Sequence, residues 1–161
     1  MSCGKSTISR MLAEKLGYSL EDTDQLLFRR TGMTLQEMFA KGGEAYFRDL
    51  EHAAVQEAAT LQRTIIATGG GVMTFERNAL LLREHTWVVH IHRPFADCYE
   101  AICRRRNRPI AGQKTEAEMH AMYDARVPLY NKYADFVLEN TGTAQQAVET
   151  LVQWAQEKNI T

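Results

Sequence analysis

The chain has 161 residues, 45% of them hydrophobic and 24% charged, with a formal net charge of −1. That is long enough to bury one substantial core, and too neutral to present the field that draws a protein onto DNA, RNA or an anionic membrane. Cys3, Cys98 and Cys103 are odd in number and lack a zinc-type pairing, and no apolar run could span a bilayer. The expectation is a cytoplasmic protein with reduced thiols, one domain over residues 1–161.

Met1-Ser2-Cys3-Gly4-Lys5-Ser6-Thr7 opens the chain with the closing half of a phosphate-binding loop, G-x-x-x-x-G-K-[ST]. Such a loop holds phosphate oxygens on backbone N–H groups and a helix N-terminus, with Lys on the β/γ charge and the hydroxyl on Mg²⁺. The leading glycine, and the apolar strand that feeds the loop, would lie before Met1. The expectation is therefore roughly ten residues upstream, about one strand plus a turn, with Met1 an internal methionine.

Ile8, Met11, Leu12 and Leu16 follow at helical spacing, and Gly17 is a natural C-cap. Residues 18–22 read as a short strand ending in Asp22-Thr23-Asp24, with residues 24–30 helical. Thr34-Leu35-Gln36-Glu37 has the capping-box pattern. Gly42-Gly43 breaks that helix, and a longer one runs from about Glu44 to Leu61. Thr64-Ile65-Ile66-Ala67 is a buried strand by composition, leading into Thr68-Gly69-Gly70-Gly71. A helix over 75–84, a strand over 87–91 and a helix from Pro94 through Arg104 come next. Residues 104–114, basic and containing Pro109 and Gly112, read as a loop that is mobile without ligand. A helix over 115–133 with a kink or break at Pro128, a strand over 136–139 and a helix over 144–158 complete the chain. Alternation of strand and helix argues an α/β fold, a parallel sheet with helices on both faces. Its motifs belong at the C-terminal strand ends.

They are found there. Asp22 and Asp24 are one residue apart and point differently, so one can face Mg²⁺ through water while the other accepts a proton from a hydroxyl. The bland alternative is a solvated strand end with Asp24 as the N-cap of the next helix. Three consecutive glycines cost backbone entropy and pack no side chain, which makes sense where backbone must approach a small molecule. Arg48 and Arg126 could converge as a planar fork for a carboxylate, or Arg48 could form a surface pair with Glu44 or Glu51. Arg104, Arg105, Arg106 and Arg108 are either a solvated basic loop or a lid over phosphates.

Gly4-Lys5-Ser6-Thr7, Asp22-Thr23-Asp24, Phe47-Arg48-x-x-Glu51, Thr68-Gly69-Gly70-Gly71, Arg108-Pro109 and Arg126-x-Pro128-Leu129-Tyr130 stand in the order and spacing of the shikimate kinase family. The chain resembles that family over essentially its whole length. The resemblance implies a P-loop kinase of the nucleoside-monophosphate-kinase type, acting as a monomer on two small molecules, ATP and shikimate, with Mg²⁺. It implies ATP contacts from Ser2, Cys3, Gly4, Lys5, Ser6, Thr7, Arg104, Arg108 and Thr143, and metal contacts from Ser6 and Asp22. Shikimate would meet Asp24, Arg48, Gly69, Gly70, Gly71 and Arg126. Asp24, Lys5 and Arg108 would be catalytic: base, loop cation and lid cation. The lid reads Arg108-Pro109-Ile110-Ala111, where the family usually has two leucines after the proline, and the first central strand of the sheet is missing. Two alternatives stay open: a kinase of another polyol acid such as gluconate, and a non-catalytic nucleotide-binding relative.

Overall fold

A computed structural model describes residues 2–104 and 114–160. The first helix, α1 (Lys5–Leu16), buries Ile8 and Ala13. It ends at Gly17, whose left-handed backbone (φ 66°) lets Gly17 and Tyr18 return N–H groups to the last helical carbonyls. Strand β1 (Ser19–Asp22) follows, then α2 (Thr23–Thr31) and α3 (Leu35–Ala59). Thr34 and Glu37 cap α3 reciprocally, as their spacing predicts. The predicted break in α3 is at Gly43, whose φ of 72° and ψ of −167° only glycine adopts readily.

Strand β2 (Thr64–Ala67) pairs parallel with β1 and sets Asp22 beside Ala67. A single 3₁₀ turn over Val72–Thr74 leads to α4 (Glu76–His85) and strand β3 (Val89–His92). β3 begins two residues later than its composition suggests. The ring of Trp87 packs edge-on against Trp154 (5.9 Å), and Val88 bonds Asp135 instead of entering the ladder. Next come α5 (Phe95–Arg104), α6 (Glu116–Tyr133), β4 (Phe136–Glu139), parallel to β3, and α7 (Ala144–Glu157). α6 runs unbroken through Pro128. Pro128 and Asp124, whose carbonyl loses its donor, are both on the exposed side, where water can replace the missing bond.

Three apolar clusters hold these layers. One joins α1, β4 and α7 through Ile8, Leu138, Val148 and Leu151, and another joins α2 to α3 through Leu26, Met38, Phe47 and Ala58. The third gathers α3, the 3₁₀ turn, α4 and α6 around Val55, Val72, Leu82 and Tyr133. The fold is α/β with parallel strand pairing. The strands form two separate two-stranded sheets, β1–β2 and β3–β4, in place of one continuous sheet. No helix among the described residues is long and apolar enough to cross a membrane.

Candidate active site

Gly4 turns the chain into α1 with φ 95°, a left-handed backbone that side chains rarely tolerate. A Cβ there would also lie 2.9 Å from Asn140 Nδ2. Asn140, buried at the end of β4, donates that amide to the carbonyl of Cys3 (2.7 Å) and so pins the loop. The first amides of α1 have no helical acceptor, no side chain caps them, and no acidic residue stands in the first turn. Donors and helix dipole together make an anion site. Lys5 Nζ lies 3.4 Å from Asp22 Oδ2, across the mouth of this loop.

The Asp22-Thr23-Asp24 run divides three jobs. Asp22 Oδ1 accepts the N–H groups of Asp24 (2.9 Å) and Gln25 (3.4 Å), so Asp22, and not Asp24, is the N-cap of α2. Thr23 is buried, and its hydroxyl accepts the Gly69 N–H (3.0 Å), tying the head of α2 to the glycine turn. Asp24 is left free of capping duty. Its side chain reaches solvent, but the carboxylate abuts the Gly69 backbone, and its pKa is raised by burial and by the Asp22 charge against a lowering pull from Lys5.

The glycines explain themselves by what surrounds them. A Cβ on Gly69 would sit 2.6 Å from Asp24 Oδ1, one on Gly70 3.3 Å from Arg126 Nη1, and one on Gly71 3.0 Å from Arg48 Nη1. Each glycine makes room for one of the three charged side chains proposed as substrate contacts. One turn thereby brings together α2, α3 and α6.

Arg48 is not the surface pair its helix spacing also allowed. Its guanidinium lies between the rings of Phe47 (4.7 Å) and Phe75 (4.2 Å). Nη1 donates to both oxygens of Glu51 (2.9 and 3.0 Å), a residue only 5% exposed, while Glu44 is a looser partner at 3.4 Å. Burial raises the Glu51 pKa, and the Arg48 hydrogen bond and charge oppose it. Stacking and pairing together fix the plane of the guanidinium, leaving its Gly71 side toward the turn.

Tyr130 lies one helical turn beyond Arg126 on α6, and its hydroxyl donates to the Gly70 carbonyl (2.5 Å). Its ring meets His90 edge-on (5.2 Å), and His90 Nδ1 in turn is 2.7 Å from Asn131 Oδ1. Burial raises the Tyr130 pKa, with Arg126 pulling the other way. Glu51, Phe75, Tyr130, Thr23 and Asn140 thus join the site as supports. Phe47 and Glu51 were visible in the Phe47-Arg48-x-x-Glu51 motif, but Asn140 reaches Cys3 across 137 positions and left no local signal.

Two of the predicted contacts have other partners. Thr143 is the N-cap of α7 in a reciprocal box with Gln146, and Arg104 pairs with Glu100 on an exposed helix face. Arg108, and most of the expected lid with it, is outside the described residues. No group of three or more His, Cys, Asp or Glu among the described residues could hold a metal alone. One carboxylate (Asp22) and one hydroxyl (Ser6) would suit only a cation that keeps water and phosphate oxygens as its other ligands, as Mg²⁺ does.

A family profile described as shikimate kinase matches residues 1–156. Among curated proteins, the chain is 38% identical over 140 residues to a shikimate kinase of Pseudomonas entomophila, covering 86% of this chain and 81% of the relative. It is 30% identical to one of Thermodesulfovibrio yellowstonii, covering 95% and 89%. Among solved structures it is similar to a shikimate kinase from Acinetobacter baumannii in complex with shikimate, with a TM-score of 0.87 and 31% identity, over 100% of this chain and 91% of that one. A shikimate kinase from Aquifex aeolicus superposes with a TM-score of 0.80 at 26% identity, over 99% and 94%.

Proposed function

The chain belongs to the shikimate kinase family, and we propose that the cleft between the phosphate loop and the glycine turn carries its reaction, transfer of the ATP γ-phosphoryl group to the 3-hydroxyl of shikimate. One observation carries the assignment of residues: Gly69, Gly70 and Gly71 each yield space to Asp24, Arg126 and Arg48 in turn, so a base and two planar cations face one turn. A cyclic acid with hydroxyls needs that set. The arginines would hold the carboxylate, the Gly70 backbone would take a hydroxyl, and Asp24 would accept the proton of the attacking one.

Phosphoryl transfer depends on alignment and charge neutralisation more than on covalent help. The uncapped amides of α1 would take the ATP phosphates, and Lys5, now beside Asp22, would turn to the β/γ oxygens. Asp24 would hold the accepting oxygen and withdraw its proton as the new bond forms. Its raised pKa, from burial and the Asp22 charge, makes it a better base than an ordinary aspartate. Mg²⁺, held by Ser6 and through water by Asp22, would supply charge neutralisation between the phosphates. Arg108 is proposed as the closing cation, and Arg104 and Thr143 as adenine-side contacts. The chain is proposed to act as one domain, as a monomer.

The relatives reported above are each named shikimate kinase, and a carboxylate clamp without turnover chemistry would have no use for Asp24. ADP release measured with shikimate and separately with gluconate tests the reading. Shikimate-dependent release is expected. Release with gluconate alone, or ATP binding without release on either acid, would overturn it.

A further inference from the structure

β3 reads Val89-His90-Ile91-His92, so its side chains alternate between the two faces of the strand. Val89 and Ile91 pack toward the apolar cluster of α1, β4 and α7. His90 and His92 share the other face, and both reach α6. His90 Nδ1 lies 2.7 Å from Asn131 Oδ1 and its ring meets Tyr130 edge-on, so it touches two consecutive residues of the helix. His92 is fixed from β4, where Glu139 is its partner in the ladder and its Oε2 lies 2.6 Å from Nδ1. Its Nε2 then lies 3.0 Å from the Tyr123 hydroxyl, which donates to the Arg93 carbonyl (2.8 Å).

These contacts fall on either side of a weak point. Pro128 has no N–H, so the bond that would close onto the Asp124 carbonyl is missing between Tyr123 and Tyr130. Arg126, beside Gly70, stands inside that stretch, and Tyr130, which bonds the Gly70 carbonyl, stands at its end. A small swing of α6 about Pro128 would carry both away from the glycine turn. We propose that His90 and His92 are positioning residues: they clamp α6 to β3 on both sides of Pro128 and so hold Arg126 and Tyr130 against Gly70. The proposal rests on the reading of that turn as the shikimate site. An aliphatic side chain at either position would fill the same space, but only a hydrogen bond has the direction that resists sliding and rotation of the helix. The clamp is made by the strand's own alternation, because two residues of period two lie about one helical turn and a half apart along α6 and bracket the proline.

The test uses His90→Leu, which removes ring and bond, and Asn131→Ala, which cuts the same bond from the exposed side and leaves the interior untouched. Two readouts are taken on each. One is free of substrate: the ¹⁵N–¹H signal of Gly71, whose amide shares a peptide bond with the Gly70 carbonyl and shifts when that carbonyl loses its donor. The other is steady-state kinetics. Both variants should move the Gly71 signal in the direction Tyr130→Phe moves it. Shikimate KM should rise about fivefold in His90→Leu and two- to threefold in Asn131→Ala, with kcat and ATP KM within twofold of the parent. His90→Leu should add less than twofold to shikimate KM in a Tyr130→Phe background, since both act through one contact. A lowered Tm with Gly71 and shikimate KM unmoved would make the histidines structural only and overturn the proposal. So would a moved Gly71 signal without a change in shikimate KM, an equal rise in ATP KM, or full additivity with Tyr130→Phe. Should His90→Leu not fold, Asn131→Ala decides by the same readouts. A parent that does not act on shikimate at all would sink the substrate reading instead, and the Gly71 signal alone would then decide the clamp: moved in both variants supports it, unmoved overturns it.

Discussion

Gly69→Ala separates activity from stability at one atom. The added Cβ would stand 2.6 Å from Asp24 Oδ1, and ordinary contact begins near 3.4 Å, so the carboxylate must retreat by about 0.8 Å. Thr23 holds the Gly69 N–H, and Asp22 holds the Asp24 N–H, so the backbones cannot share the displacement and the side chain takes it. Moving a base by about 1 Å from its reacting oxygen costs roughly 100-fold in rate, or ~2.7 kcal/mol of barrier. The fold should hardly notice. Gly69 is not among the glycines with positive φ, so alanine fits its backbone, and the stiffer unfolded chain returns ~0.4–1 kcal/mol against the local crowding. Steady-state turnover and thermal unfolding on the same preparation check this. Turnover should fall about 100-fold with Tm within a few degrees of the parent. Turnover within about threefold of the parent would refute the placement of Asp24 against Gly69 as the working base.

Asp24→Asn should lower turnover at least ~100-fold, as loss of a general base does, with ATP binding little changed in an equilibrium titration. Its folded pKa is raised, so the carboxylate costs stability progressively as pH climbs from the ordinary aspartate range to the folded value; above that window the Asn variant, with no charge to bury, should unfold at a higher temperature than the parent. For the same reason the acid limb of the kcat/KM profile should lie above the range of an ordinary aspartate, which a pH series reads directly. Arg48→Lys and Arg126→Lys keep charge but lose the planar fork, and each should raise the shikimate KM roughly 10–100-fold, the ~1.5–3 kcal/mol of a charged hydrogen bond, with ATP KM nearly constant. Tyr130→Phe removes the hydroxyl that bonds the Gly70 carbonyl and faces Arg126, and should raise shikimate KM about fivefold, for ~1 kcal/mol, again without effect on ATP.

The elements were legible wherever the signal was local. The capping box at Thr34, the break at Gly42-Gly43, the helix over 75–84 and the strand at Thr64 all follow from spacing within a few residues, and the structure has each of them. Motif order was legible too, because phosphate loop, acidic pair and glycine turn sit at strand and helix ends and the α6 arginine follows within a helix. Roles that depend on geometry were not. That Asp22 caps α2 and frees Asp24 turns on one dihedral choice between two equivalent carboxylates. That Arg48 and Glu51 are enclosed, instead of solvated, depends in part on Phe75 arriving from another element to stack on Arg48. Tyr130 and Asn140 act across 60 and 137 positions, where periodicity carries no information.

The central claim is that this chain places a phosphoryl group on the 3-oxygen of shikimate. Phosphorus NMR of a reaction containing ATP, Mg²⁺ and shikimate reads that bond itself. The account predicts a new phosphate-monoester signal coupled to the proton on C3, appearing as ADP appears and lost in Asp24→Asn. A reaction in which ADP and inorganic phosphate accumulate while shikimate stays unmodified would contradict it.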